Sequence, residues 1–349
     1  MIGRVRGWSP RRRLAVFGVP LLLLLALVLA WPTLDAWARS AALFSDAVVR
    51  LPVRPITWLT GDPTRETVEW GESGGRGLLI RPAGDDAAPA LVLVLGADPA
   101  PPEDERVARL LEALARTGFA VLLPLSEELD AKRVGAVEVE RLVEAFLFME
   151  RDRRVRGDRI AFLGLSVGGS LSLVAAADAR IADRVWFVQA IGPYYDAISL
   201  AASALSAEHR TAEGVEPWPP ARVTVDVIGE TLLVALTEGQ REALVGVDLA
   251  TAERLLAELA PEQRALLEAV SPSAVIEGLR APLYLLHDRS DRFVPWTESE
   301  ALAAAYPPAV YHRLDLFEHV DPQVGNLSVL LRDGWRLMRL FSRIYADAR

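Results

Sequence analysis

Short continuous apolar runs alternate with stretches in which apolar residues recur every three or four positions from about residue 66 to the end of this chain. The first pattern is that of strands and the second that of amphipathic helices, so their alternation predicts a mostly parallel central sheet with helices on both faces. Residues 67–70 and 77–80 read as early strands. Residues 90–95 (ALVLVL) have no polar face, as a central strand buried on both sides requires. A helix over 103–116, a strand over 119–123, a helix over 136–151 and a strand over 159–164 (RIAFLG) follow. Next come a helix beginning near Val167, strands over 184–190 and 282–287, a helix over 298–306, a strand over 310–316 and an amphipathic helix over 327–345.

One stretch breaks the alternation. Residues 193–272 carry helical runs such as 249–259 and 262–270, with Asp248 as an N-cap and Pro261 in a first turn, and too few strand-like segments to extend a sheet. The expected organisation is therefore a core in two parts, 66–192 and 273–349, with a helical cap inserted between them. No internal repeat interrupts this scheme.

The N-terminal pattern is different in kind. Residues 1–13 form a basic segment with Arg4, Arg6, Arg11, Arg12 and Arg13 and no acid, and residues 14–31 (LAVFGVPLLLLLALVLAW) are uncharged and mostly apolar. As a helix that run covers roughly 27 Å, close to a hydrocarbon core. We expect a transmembrane helix over 14–31, with Pro20 tolerated inside it and Trp31 and Trp37 at the far interface. The arginine-rich end then stays cytoplasmic, and a single-pass protein with an extracytoplasmic catalytic domain results. A cleaved signal peptide is the alternative, with Ala36-Trp37-Ala38 as the small-x-small site and a secreted product. Residues 32–65 read as a juxtamembrane linker, amphipathic over 36–51 and then broken by Pro52, Pro55 and Pro63.

Composition narrows the function classes. There are 47 acidic against 38 basic side chains, and five of the basic ones precede residue 14, so the body is more acidic than the net charge of −9 suggests. Such a body does not seek nucleic acid. The absence of Cys excludes disulfide scaffolds and zinc–thiolate sites. No HExxH, GxxxxGK[ST] or GxGxxG run occurs, so neither a metal nor a cofactor is expected.

Chemistry gathers in three places. Gly164-Leu165-Ser166-Val167-Gly168-Gly169 lies directly after a predicted strand and opens a predicted helix. A strand–turn–helix that tight exposes Ser166 at the sheet's carboxyl edge, and Gly164 and Gly168 let strand and helix approach. The loop after strand 282–287 holds Asp288 and Asp291; Asp291 is the candidate orienting acid and Asp288 its rival. The loop after the last strand holds His319. Of the other histidines, His209 falls in the cap, His287 ends a strand and reads as a satisfied edge residue, and His312 lies within a strand pattern. His319 alone occupies a loop at the carboxyl end of a strand, where sites in open parallel sheets collect.

The order Ser166, Asp291, His319 resembles that of the α/β-hydrolase fold, and from about residue 77 to the end the chain is similar to α/β-hydrolase serine hydrolases with a cap after the sixth strand. The resemblance implies acyl transfer to Ser166, most often hydrolysis of a carboxylic ester, with no cofactor. It further implies an oxyanion hole from the backbone N–H groups of Val167 and Ala97. Leu95 stands where relatives often carry His, and Asp288 where they often carry Gly. A peptidase, a thioesterase, an acyltransferase or a catalytically silent binding module shares the same pattern. Tyr194, Tyr195, Trp218 and many Leu, Val and Ala of the cap either line an apolar pocket for a small ester or lipid-like substrate or form the cap's own core and its seam with the sheet.

Overall fold

The structure, a computed structural model, describes residues 19–319 and 321–348. Eight strands form one sheet: β1 (Thr64–Trp70), β2 (Gly75–Arg81), β3 (Ala88–Val94), β4 (Ala120–Leu125), β5 (Val155–Leu165), β6 (Val185–Ile191), β9 (Leu283–Asp288) and β10 (Val310–Leu314). Between β6 and β9 a small hairpin of β7 (Glu208–Thr211) and β8 (Gly214–Pro217) stands apart from it. The spatial order in the sheet is β1-β2-β4-β3-β5-β6-β9-β10. β1 and β2 pair antiparallel, β2 joins β4 antiparallel, and the six strands from β4 to β10 run parallel. The parallel strands therefore aim their following loops at one edge, where ligands of open α/β sheets bind.

Two apolar cores lie against the sheet. One gathers Val92, Phe162, Leu171, Phe146 and Leu285, and the other gathers Leu93, Ala161, Leu111, Leu114 and Leu340. Alternate residues of β3 enter alternate cores, which is what a strand covered on both faces requires. The helices of eight or more residues are α1 (Val19–Leu43), α2 (Glu105–Arg116), α3 (Ala136–Arg151), α4 (Val167–Ala176), α5 (Ala197–Ser206), α6 (Arg222–Thr231), α7 (Leu249–Ala257), α8 (Pro261–Glu268), α9 (Trp296–Ala305) and α10 (Leu327–Asp347). Asp104 caps α2 by accepting from the Arg106 N–H, Asp248 caps α7 through the Thr251 N–H, and Asn326 caps α10. All ten residues of α4 are buried, as its apolar circumference demands.

The chain leaves the sheet after Ile191 and returns at Leu283, and α5 to α8, a short helix over Glu238–Ala243 and the β7–β8 hairpin occupy the interval. The hairpin was not anticipated: its residues are short, polar and mostly exposed, so they carry no alternation of apolar and polar faces.

The N-terminal expectation needs correction. Among the described residues no helix is long and apolar enough to cross a membrane. That overturns the transmembrane helix expected over 14–31 and the single-pass, extracytoplasmic topology drawn from it. Residues 1–18, which include the basic segment and the start of that run, lie outside the described residues. The helix also does not end where that run does: α1 continues without a break to Leu43, residues 28–34 are exposed, and the turns after them dock on the domain. Ala36, Ser40 and Leu43 are buried, and Ser40 Oγ donates to the Met338 carbonyl at 2.6 Å. Arg39 donates to the Thr117 carbonyl at 2.9 Å, and the Trp37 ring stacks on Trp335 at 4.8 Å. The small-x-small site at residues 36–38 thus lies inside a helix packed on α10.

This docking depends on Gly334, where an added Cβ would come within 2.5 Å of the Phe44 ring. Replacing Gly334 with Leu should lower stability by about 1–3 kcal/mol through overpacking. Gly325→Ala, with open space around it, should be nearly neutral. Denaturant unfolding of both variants checks this, and equal midpoints would contradict the docking.

Candidate active site

Ser166 sits at the junction of β5 and α4 with φ 54° and ψ −130°, a conformation that side-chain-bearing residues rarely adopt. Holding a residue there costs on the order of 1–3 kcal/mol, which surrounding contacts must offset. Its N–H donates to the Ile191 carbonyl at 2.7 Å, and its carbonyl accepts from the Gly169 N–H at 2.8 Å. The flanking glycines are required by space. An added Cβ at Gly164 would overlap the Cα of Gly169, and one at Gly168 would overlap the carbonyls of Val94 and Leu95. The loop after β3 presses on the same turn, since a Cβ at Gly96 would lie 3.1 Å from that of Ser166.

Asp291 and His319 meet at the ends of neighbouring strands. β10 pairs with β9 in parallel, so the loops after them lie side by side. His319 Nδ1 lies 2.7 Å from Asp291 Oδ2, with both side chains buried. Asp291 Oδ1 accepts from the N–H groups of Phe293 at 2.7 Å and Val294 at 3.0 Å. Burial alone would raise the Asp291 carboxyl, yet the charge of His319 and hydrogen bonds from His287 and His319 hold it well below the usual carboxylate range. The imidazole of His319 lies flat on the Phe293 ring, with centroids 4.2 Å apart and planes at 13°. His319 itself has φ 58°, so its backbone is also strained.

The rival acid has a different task. Asp288 Oδ1 accepts from the Ser290 N–H and hydroxyl at 2.8 and 2.7 Å, and its Oδ2 accepts from the Phe317 N–H at 3.0 Å. Burial pushes its carboxyl up, against those bonds. It ties the His319 loop to the end of β9 without touching His319. His287 is buried, with Nδ1 at 2.7 Å from Ser299 Oγ and Nε2 at 3.0 Å from the Val294 carbonyl, and it passes 3.4 Å from Asp291 Oδ2. His209 pairs with Thr297 Oγ1 at 3.2 Å, away from this cluster.

Ser166, Val167, Ala97 and His319 all line one cavity of about 480 Å³. Val167 is the first residue of α4, and the first N–H groups of a helix have no partner within it. The cavity is mostly apolar, with Leu163, Val227, Ile228, Phe293 and Phe317 among its lining. Phe293 was not singled out in the sequence, and the α6 residues were expected only as unspecified apolar residues of the cap. Val223, Val227 and Ile228 do share one helical face there, which is the signal that would have found them. Tyr194 and Trp218 are elsewhere: Tyr194 OH donates to the Val270 carbonyl at 2.9 Å, and Trp218 Nε1 donates to the Asp291 carbonyl at 2.8 Å. Tyr195 packs against the core beside them. Among the described residues no group of acidic and histidine side chains is arranged to hold a metal.

No protein-family profile matches the chain, and no curated protein matches it in sequence. Solved structures do resemble it in fold. A 2,6-dihydroxy-pseudo-oxynicotine hydrolase superposes with a TM-score of 0.52 at 17% identity, covering 82% of this chain and 68% of that one. The acylaminoacyl peptidase of Pyrococcus horikoshii gives 0.54 at 14% identity over 81% of this chain, which spans only 42% of the peptidase. Est1E of Butyrivibrio proteoclasticus gives 0.50 at 13% identity, over 81% of this chain and 99% of Est1E. The likeness to these hydrolase, peptidase and Est1E structures establishes the α/β-hydrolase fold for this chain.

The Asp291 carboxylate generates a prediction about pH. A carboxyl held below its ordinary value near 3.9 contributes stability that is complete above about pH 4 and is lost as pH falls toward its lowered value. Wild type should therefore exceed Asp291→Asn in stability near neutral pH, and the gap should close on acidification. Urea unfolding at a series of pH values measures it, and a gap independent of pH would contradict the ionised pairing.

Proposed function

We propose that this chain is a serine hydrolase that cleaves a carboxylic ester, with Ser166 as nucleophile, His319 as general base and acid, and Asp291 as the group that orients the imidazole. The observation that carries this reading is the 2.7 Å contact of Asp291 with His319 Nδ1, in the cavity that the strained Ser166 also lines.

A hydroxyl is a weak nucleophile until its proton has somewhere to go. With Nδ1 committed to Asp291, Nε2 of His319 is the nitrogen that takes the Ser166 proton as Oγ attacks the ester carbonyl. The negative charge that develops on the carbonyl oxygen is met by the N–H groups of Val167 and Ala97, donors fixed by backbone and so requiring no rearrangement. His319 then delivers its proton to the departing alcohol, leaving an acyl group on Ser166. Water, deprotonated by the same imidazole, releases the acid. The Asp291 carboxylate stabilises the imidazolium in each half of the cycle. An ester is favoured over a peptide by the lining, since Leu95, Leu163, Val227, Ile228 and Phe317 offer aliphatic and aromatic surface around Ser166.

A fluorophosphonate probe should label Ser166 in the wild-type protein, and Ser166→Ala should abolish the label. A folded wild-type protein that resists labelling would favour a silent binding module instead. In hydrolysis of p-nitrophenyl esters, Asp291→Asn should lose on the order of 10⁴-fold in kcat. Asp288→Asn should lose less than about tenfold, because its carboxyl touches Ser290 and Phe317 and not the imidazole. Comparable losses in the two variants would contradict these roles.

A further inference from the structure

One wall of the cavity is built by chain that precedes the entire sheet. Leu43, Ala47, Val48 and Arg50 line the same space as Ser166 and His319. Leu43 ends α1, and Phe44–Val48 form a π-helical turn closed by the Val49 N–H on the Phe44 carbonyl at 3.0 Å. A π turn adds a residue to the helical repeat and re-aims the side chains that follow, and such turns recur at functional sites.

This turn is fixed from behind. Asp46, with 2% of its side chain exposed, accepts from Arg54 Nε and Nη2 at 2.7 Å each and from Arg109 Nε at 3.1 Å. Arg54 continues to Glu112 of α2 at 3.0 Å. A bidentate guanidinium–carboxylate pair fixes orientation as well as distance. Ala47 and Val48, adjacent in sequence to that anchor, are thereby held as a set surface. Arg50 reaches Asp321 at 3.3 Å, where Arg106 of α2 also binds at 2.8 Å, two residues beyond His319.

The cavity also draws on both cores. Val223, Val227 and Ile228 of α6 belong with the core that contains Val92 and Phe162, whereas Ala47 and Val48 pack with the core that contains Leu93 and Leu337. Its lining thus includes residues that pack with each of the two cores as well as Ser166.

Resting on the reading of Ser166 as nucleophile, we propose that the segment from Leu43 to Arg50 is a specificity-determining wall. It bounds one apolar arm of the cavity and limits the length of the group on one side of the ester, while α6 bounds the arm for the other side. The substrate class is then an ester with an apolar group on each side of the scissile bond.

Two ester series test this, one varying the acyl chain from acetate to palmitate and one varying the alcohol on a fixed acyl group, alongside fluorophosphonate labelling of each protein. In the wild type each methylene should raise kcat/KM about fourfold until the arm is filled. Ala47→Phe and Val48→Phe should lower the long-to-short preference at least about tenfold on one side of the ester. Val227→Phe should do so on the other side. Ala47→Leu, a smaller addition suited to the case in which Phe disturbs folding, should act in the same direction to a smaller extent. If the variants at 47 and 48 keep the wild-type profile on both sides while Ser166 still labels, the wall is wrongly assigned. If Val227→Phe affects the same side as Ala47→Phe, the two-armed cavity is overturned. A folded wild type that neither labels nor hydrolyses any ester overturns the hydrolase reading itself, and the arms with it.

Discussion

A buried carboxylate with every oxygen committed is the constraint on which the site depends. Removing Asp291 from water is expensive unless its charge is paired and its lone pairs are filled. Here the cost is met from two directions, by the N–H groups of Phe293 and Val294 within its own turn and by His319 from the next loop. The second acid of the same turn works in parallel, because Asp288 binds Ser290 on its own side and the Phe317 N–H across the gap. Two carboxylates three residues apart therefore lock two loops into one body. The strained φ of His319 is tolerable inside such a body and would relax outside it.

The sheet explains why these loops meet Ser166 at all. In the order β3-β5-β6-β9-β10 all strands run parallel, so each strand's carboxyl end delivers its loop to the same edge. The turn after β5 is anchored to the neighbouring strand by the Ser166 N–H on the Ile191 carbonyl. The glycines on either side remove the atoms that would block the approach of strand, helix and the β3 loop. Strain at Ser166 is thus imposed by long-range packing and not by the local sequence, which would otherwise relax into an ordinary turn.

Much of this was legible in the chain, for identifiable reasons. The strands of the parallel sheet announce themselves as apolar runs because burial on both faces leaves them no polar side, and the Ser166 turn and the His319 loop follow such runs directly. Asp291 was the candidate acid and Asp288 its rival because the two share one loop, and it is their contacts, with His319 and with Phe317 respectively, that set them apart. Whether the aromatic residues of the cap line the pocket or pack the cap was left open by the sequence, and their polar tips bond to backbone carbonyls when buried: Tyr194 to Val270 within the cap and Trp218 to Asp291 in the loop after β9, which leaves the lining to Val227 and Ile228. The N-terminal run misled because it was read as ending at Trp31, whereas the helix runs on to Leu43 and its last turns pack on protein through Ala36, Ser40 and Leu43. Arg39 and Ser40, whose polar atoms reach the Thr117 and Met338 carbonyls, were the sign that it continues onto the domain.

That continuation changes what α1 does. A helix joined to the sheet domain only by a linker would leave the site unaffected by its own movements. As it stands, α1 lies along α10, Phe44 fills the space left by Gly334, and the π turn that follows faces the cavity. Local opening free energies are set by the contacts an element makes, and those of this segment are shared between the core and the cavity wall. Asp46 sharpens the coupling, because displacing the turn would strand a buried carboxylate among Arg54 and Arg109 or force all three charges into a new arrangement. The integrity of the cavity therefore depends on residues more than a hundred positions before Ser166, so stability of the N-terminal helix and shape of the binding space are properties of one packed unit.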